Sequence, residues 1–218
     1  MNNKQLRALV MLCVFGCAIG AKPSIAAADA PTYSPVVAQS SVSFVGTQQG
    51  EKFTGVFGDY DARIAYAPDQ LATSHIDVTI RLKSLDSKSQ ERDSALAGAD
   101  WFDFQKFPTA VFHASAIHAT PTGPVGDADL TIKGRTKHLV FPFAWTAQAG
   151  KATLDARVTL DRLDFGLGAG EWADEGIAGK KVEVVVHLVL VAATGAAAAP
   201  PASPAAKLTA PATTSPKH

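Results

Sequence analysis

Residues 75–112 read HIDVTIRLKSLDSKSQERDSALAGADWFDFQKFPTAVF, a strand pattern, a helix pattern and a strand pattern again. The first eight residues alternate. Ile76, Val78, Ile80 and Leu82 share one face, and His75, Asp77, Thr79 and Arg81 share the other. That is the period of a strand with one buried side. Near 87–98 the alternation stops. Ser87 with Gln90 three residues later fits a capping box. Gly98 offers an end, because glycine enters the left-handed C-terminal conformation without a Cβ penalty. One inserted helix is therefore expected near residues 87–98. Trp101, Phe102, Phe104 and Phe107 follow within seven residues. Phe107-Pro108 then forces an extended backbone, and a second alternating run begins. Arg92 and Asp93 are adjacent, so on a helix they point apart, and each needs a partner elsewhere or water.

Working outward, seven more segments carry strand signals: 40–46, 53–66, 109–119, 125–133, 137–147, 151–161 and 181–191. Gly55, Gly58 and Asp59 are expected to bend or bulge the long second segment. Gly134-Arg135-Thr136 reads as a tight turn. Leu139, Phe141, Phe143 and Trp145 share a face, with Pro142 on the other, which suggests a distorted or edge position. A glycine-rich loop, 162–180, precedes the last strand. Eight short strands with one apolar face mean an all-β, antiparallel sandwich or barrel. An eight-stranded barrel is just wide enough to fill with side chains or to hold one slim ligand. The inward face mixes Phe and Trp with Ala and Gly, and periodicity alone leaves both outcomes open.

The chain has 218 residues with 20 basic and 20 acidic side chains, so its formal charge is zero. That gives no electrostatic case for nucleic acid or an anionic membrane surface. Lys4 and Arg7, the apolar run 8–21 and Ala26-Ala27-Ala28 have the layout of a secretory signal peptide, residues 1–28. A lipoprotein signal ending at Cys17 conflicts with Phe15. Both cysteines, Cys13 and Cys17, lie in this segment, so the mature chain would carry no disulfide, although a periplasmic location permits one. Residues 195–218 are Ala, Pro, Thr and Ser with two lysines, a composition that cannot offset ordering entropy and reads as a disordered tail. About 160 residues remain, enough for one domain.

Six histidines occur, without His-x-His or His-Glu-x-x-His spacing, so no metal is expected. There is no nucleophile elbow. Gly166-x-Gly168-x-Gly170 lacks the helix and spacing of a phosphate loop and reads as a turn. Glu171, Asp174 and Glu175 read as a solvated loop. No catalytic apparatus is visible, and an enzyme is not expected.

Three stretches together resemble one family. They are Arg92-Asp93-x-x-Leu96 running into Asp100-Trp101-Phe102-Asp103 and Phe107-Pro108-x-Ala110-x-Phe112; Gly126-x-x-x-Leu130-Thr131-Ile132-Lys133-Gly134-x-Thr136; and Gly55-x-Phe57. Over residues 33–192 the chain resembles the YceI-like family of secreted, lipid-binding bacterial proteins. The resemblance implies an eight-stranded antiparallel, lipocalin-like barrel with a helix near one end. It also implies a cavity holding a polyisoprenoid or similar chain. Arg162-x-Asp164-Phe165-Gly166, with Gly170-Glu171-Trp172-Ala173-Asp174, is similar to a subgroup found beside cytochrome b561-type membrane proteins. That association would make ubiquinone a natural ligand and such a membrane protein a partner. Many members carry a histidine where this chain has Ala95, so head-group recognition by an imidazole does not carry over.

The expected function is a periplasmic binding or carrier protein for a long isoprenoid lipid or quinone, with no other cofactor required. Phe44, Phe57, Phe112, Phe141, Phe143 and Trp145 are expected to line the cavity, with Leu96, Trp101 and Phe102 covering one end. Arg92 and Asp93 are head-group or structural residues. The alternative is a filled barrel that docks on a membrane redox partner through loop 162–180, with an exposed Trp172 as anchor. Whether the chain works as a monomer or a homodimer is left open.

Overall fold

Three hairpins of this chain turn through the pairs Gln49-Gly50, Lys133-Gly134 and Ala149-Gly150, all with positive φ of 50–83°. Two consecutive left-handed residues make the two-residue turn whose twist matches that of the flanking strands, which pins register. The tight turn expected at 134–136 is one of these, displaced by a residue: Arg135 and Thr136 already belong to a strand.

The computed structural model describes residues 29–193. Along them run β1 (Thr32–Pro35), β2 (Ser41–Gln48), β3 (Glu51–Phe57), β4 (Tyr60–Ala65), β5 (His75–Arg81) and β6 (Leu85–Asp86). Helix α1 (Gln90–Ala97) follows, then β7 (Thr109–Thr120), β8 (Gly123–Ile132), β9 (Arg135–Gln148), β10 (Lys151–Asp161) and β11 (Lys181–Ala192). The order across the sheet is β1-β4-β5-β7-β8-β9-β10-β11-β2-β3-β6, and β1 also pairs with β11, which closes it. The strands occupy eight antiparallel staves, because β1/β2, β3/β4 and β5/β6 are bent staves interrupted partway. Gly58-Asp59 makes the second interruption, as the sequence suggested. The bend is held by Gly58 N–H to Ser84 O and Arg81 N–H to Asp59 O. The short β1 and β6 carry no alternation signal of their own. The expected signal peptide, 1–28, and tail, 195–218, lie outside the described residues.

Pro142 sits where the sheet opens. The β9–β10 pairs run from Gln148 with Lys151 to Phe143 with Ala156 and stop there. Proline, which has no N–H to donate, therefore begins the stretch of β9 that lacks a partner on that side.

Helix α1 starts two residues later than the Ser87 cap would place it. Ser89 is the N-cap and accepts from Arg92 N–H. The helix ends at Gly98, but in extended conformation, φ −73° and ψ 170°, not the left-handed form. Up-and-down topology puts α1, loop 162–180 and the turns at 49–50 and 133–134 at one end of the barrel.

The barrel interior divides into two halves. Away from α1 it is filled. Tyr33 and Tyr66 meet Trp145 edge-on at 5.2 and 4.9 Å, and Tyr66 meets Phe143 at 5.4 Å. Phe143 stacks on Phe141 at 5.4 Å, and Phe112 meets Phe141 edge-on at 5.0 Å. Leu188 and Leu190 on β11 are 1% and 0% exposed there. Toward α1 the same strand presents Val182 and Val184, which are partly exposed to an internal space.

Candidate functional site: the cavity beneath the helix

A cavity of about 330 Å³ occupies the helix half of the barrel, within the roughly 300–1,000 Å³ usual for small-molecule sites. Its wall is mostly aliphatic and aromatic: Phe44, Phe53, Phe57, Ile80, Ala110, Leu130, Leu160 and Val184 from the strands, Leu96 and Ala95 from α1. Trp101, Phe102, Phe165, Leu167 and Trp172 come from the two connections that close over it.

The space exists because large rings lie flat on the wall. Across β2 and β3, Phe44 faces Gly55 and Gly46 faces Phe53 in register. A Cβ on Gly46 would sit 2.8 Å from the Phe53 ring, and one on Gly55 would meet the Phe44 ring closer than 3.0 Å. Each ring covers the glycine opposite, instead of crossing the lumen. Phe141 covers Gly126 in the same way in the filled half.

Arg92 and Asp93 diverge from the helix, as their adjacency requires, yet converge on one residue. Arg92 donates from Nε to Ser87 Oγ and from Nη2 to Ser87 O, both at 3.0 Å. Asp93 Oδ1 accepts from Ser87 N–H at 2.9 Å. Arg92 Nη1 reaches Gln48 Oε1 at 3.0 Å, and its guanidinium lies 4.1 Å over the Phe53 ring. These contacts tie α1 to the β2–β3 hairpin at the cavity mouth. Arg92 itself lines the cavity; Asp93 lies behind it.

Arg162 entered the sequence reading only as part of the 162–166 motif and not as a site residue. It is 3% exposed, and its five N–H groups all go to main-chain carbonyls of its own loop. Nε donates to Gly179 O; Nη1 to Leu167 O and Gly168 O; Nη2 to Ala178 O and Trp172 O. Burial lowers its pKa, with Asp161 and Glu175 acting in the opposite sense. The guanidinium stacks 5.1 Å from the Trp101 ring. The glycine-rich loop is thus wound around one side chain. It is fastened outward by Gly179 N–H to Thr47 O, Gln49 N–H to Ile177 O and Gly168 N–H to Asp100 O. Lys133 Nζ bridges Ala99 O and Gly166 O, and burial lowers its pKa. Trp172 is half-buried against Trp101 at 5.8 Å, not the exposed anchor expected from sequence. The indole Nε1 of Trp101 is buried without a hydrogen-bond partner among the described residues.

Of the expected lining residues, the structure brings Phe44, Phe57, Leu96, Trp101 and Phe102 to the cavity. It places Phe112, Phe141, Phe143 and Trp145 in the packed half, inward-facing but below the cavity. Phe141 stacks on Phe143 and meets Phe112 edge-on, and Trp145 packs against Tyr33 and Tyr66. The described histidines lie on the outer face beside aspartates: His113 with Asp77 at 2.5 Å, His187 with Asp155 at 2.6 Å, His118 with Asp127 at 2.8 Å and His138 with Asp129 at 3.2 Å. Among the described residues no three metal-ligating groups converge.

A family profile described as the YceI-like domain matches residues 33–190. BcnA of Burkholderia cenocepacia is 31% identical, with a TM-score of 0.68 over 71% of this chain and 98% of BcnA. A UPF0312 protein of Vibrio cholerae serotype O1 is 31% identical over 148 residues, 63% of this chain and 78% of the relative. A polyisoprenoid binding domain from Saccharophagus degradans, implicated in plant cell wall breakdown, shares the fold at 15% identity. Its TM-score is 0.60 over 74% of this chain and 98% of that domain.

Proposed function

The chain belongs to the YceI-like family, and from that premise we propose that its barrel binds a long isoprenoid lipid by the tail and carries it through the periplasm. The observation that carries this reading is the apolar cavity of about 330 Å³ beneath α1. The polyisoprenoid-binding relative of the same fold supports the choice of ligand. Burying one methylene from water is worth about 0.8 kcal/mol, so an isoprene unit contributes roughly 3 kcal/mol. The competing location is a bilayer, where the tail is equally dry. Transfer from bilayer to barrel is then nearly neutral for the tail, and the head group and closing loops decide the balance. That suits a carrier, which must load and release.

The groups available to a head group at the mouth are Arg92 and Gln48. A quinone or phosphate oxygen is the matching acceptor, and ubiquinone satisfies it. Ala95 lines the same mouth, so recognition here proceeds without an imidazole at that position. Residues 1–28 would direct export and be removed. Ile177, at 36% exposure on the rim, would meet a membrane partner of cytochrome b561 type during transfer. In this reading the protein binds its lipid and does not transform it.

The test is mass spectrometry of an organic extract from full-length-expressed protein, purified from its own periplasm without detergent. A stoichiometric isoprenoid or quinone, with an intact-protein mass beginning near residue 29, is expected. An empty extract that stays empty after incubation with liposomes containing ubiquinone and undecaprenyl lipids would overturn the reading.

A further inference from the structure

On three neighbouring staves the cavity wall ends beside Phe112. On β7 the last lining residue is Ala110, and the next inward residue, Phe112, belongs to the packed half. On β8 the corresponding step is from Leu130 to Ala128, and on β5 from Ile80 to Val78. Phe112 pairs in register with both Leu130 and Val78, so it stands at the boundary. It is larger than Val78, its in-register neighbour on β5. It also has no room to sink. Its edge rests on Phe141 at 5.0 Å, Phe141 is stacked on Phe143 at 5.4 Å, and Phe141 is itself pressed over Gly126.

We infer that Phe112 is the floor of the cavity and a chain-length determinant: it fixes how many carbons of the tail the barrel takes before the rest must remain outside. This rests on the reading of the cavity as a lipid-tail site. A packed interior does not yield continuously, because rings in contact must shift together to admit more carbon. Each methylene above the floor should therefore add its full transfer energy, and each one beyond it nearly none. Phe112→Ala removes six carbons from the floor, and Phe112→Leu removes three. Ala110→Leu adds three carbons one step above it, raising the floor without touching the aromatic column.

The experiment measures the affinity of the intact protein and its variants for straight-chain alcohols of increasing length, by displacement of a bound environment-sensitive dye. For the unmodified protein, affinity should rise about fourfold per methylene, the equivalent of ~0.8 kcal/mol, then level off at a definite length. The break should move longer by about six carbons in Phe112→Ala and by about three in Phe112→Leu, after partial relaxation of the cavity. In Ala110→Leu it should move shorter by about three. Phe112→Leu and Ala110→Leu guard against misfolding of Phe112→Ala, and thermal unfolding of each variant is followed alongside. Breaks at the same length in all four proteins would overturn the floor while leaving the tail-binding reading standing. No binding of any alcohol by the unmodified protein would overturn both.

Discussion

Arg92 and Ser87 are joined twice, Nε to Oγ and Nη2 to O, each at 3.0 Å, while Asp93 holds the Ser87 N–H from the same helix. Ser87 is 2% exposed. The helix is therefore clamped to the sheet through a buried residue that precedes it.

Asp93→Ala leaves the Ser87 N–H buried and unpaired, which costs about 1–3 kcal/mol. Arg92→Ala removes three donors and a cation–π contact and should cost a similar amount. Urea denaturation checks both. The double variant should lose less than the sum, because both contacts act through one residue. Strict additivity would mean that the two side chains hold α1 independently.

Arg162→Lys should destabilise by about 2–4 kcal/mol, because an ammonium has three donors for five carbonyls and leaves at least two buried acceptors unpaired. Amide exchange in 165–179 should speed up more than in β10 or β11. A loss below about 0.5 kcal/mol would show that water replaces the guanidinium.

Gly55→Ala and Gly126→Ala should each cost about 1–3 kcal/mol through overpacking, since each new methyl strikes the ring opposite. They should differ in ligand content. Gly55→Ala pushes Phe44 off the cavity wall and lowers lipid retention; Gly126→Ala disturbs Phe141 below the cavity and leaves retention near normal. Equal retention in the two would separate the glycine–ring pairs from cavity shape.

Trp101→Phe removes a buried N–H that has no hydrogen-bond partner among the described residues. Stability without ligand should be unchanged or rise slightly. Because that N–H is closed off from the cavity, affinities for a ubiquinone and for a hydrocarbon of equal length should change together, differing by less than about 0.5 kcal/mol, the low end of the net worth of one hydrogen bond. Titration with the two ligands side by side decides it.

Much of this molecule is written in local order. Alternation named the inward faces of β5 and β9 correctly, because side chains on a strand have a period of two and one face is dry. Gly58 and Pro142 announced the broken stave and the end of β9–β10 pairing, since each limits what the backbone can do where it stands. The broken alternation at 87–98, with the aromatics that follow it, marked an inserted helix and a cover for one end. Alternation is silent about height along the barrel axis, however. Phe44 and Phe141 carry the same inward signal, yet one lines a cavity and the other fills a core. That distinction depends on which strand lies opposite and in what register, such as Phe44 against Gly55, and register joins residues far apart in the chain. Arg162 shows the same limit. Its five carbonyl partners lie between 167 and 179, and no spacing rule marks a main-chain oxygen as a ligand. Local periodicity and turn chemistry thus reach an all-β antiparallel sandwich or barrel, and the resemblance to the family implied the barrel. The depth of the cavity and the closure over it arise from long-range pairing, which exists once the barrel has closed.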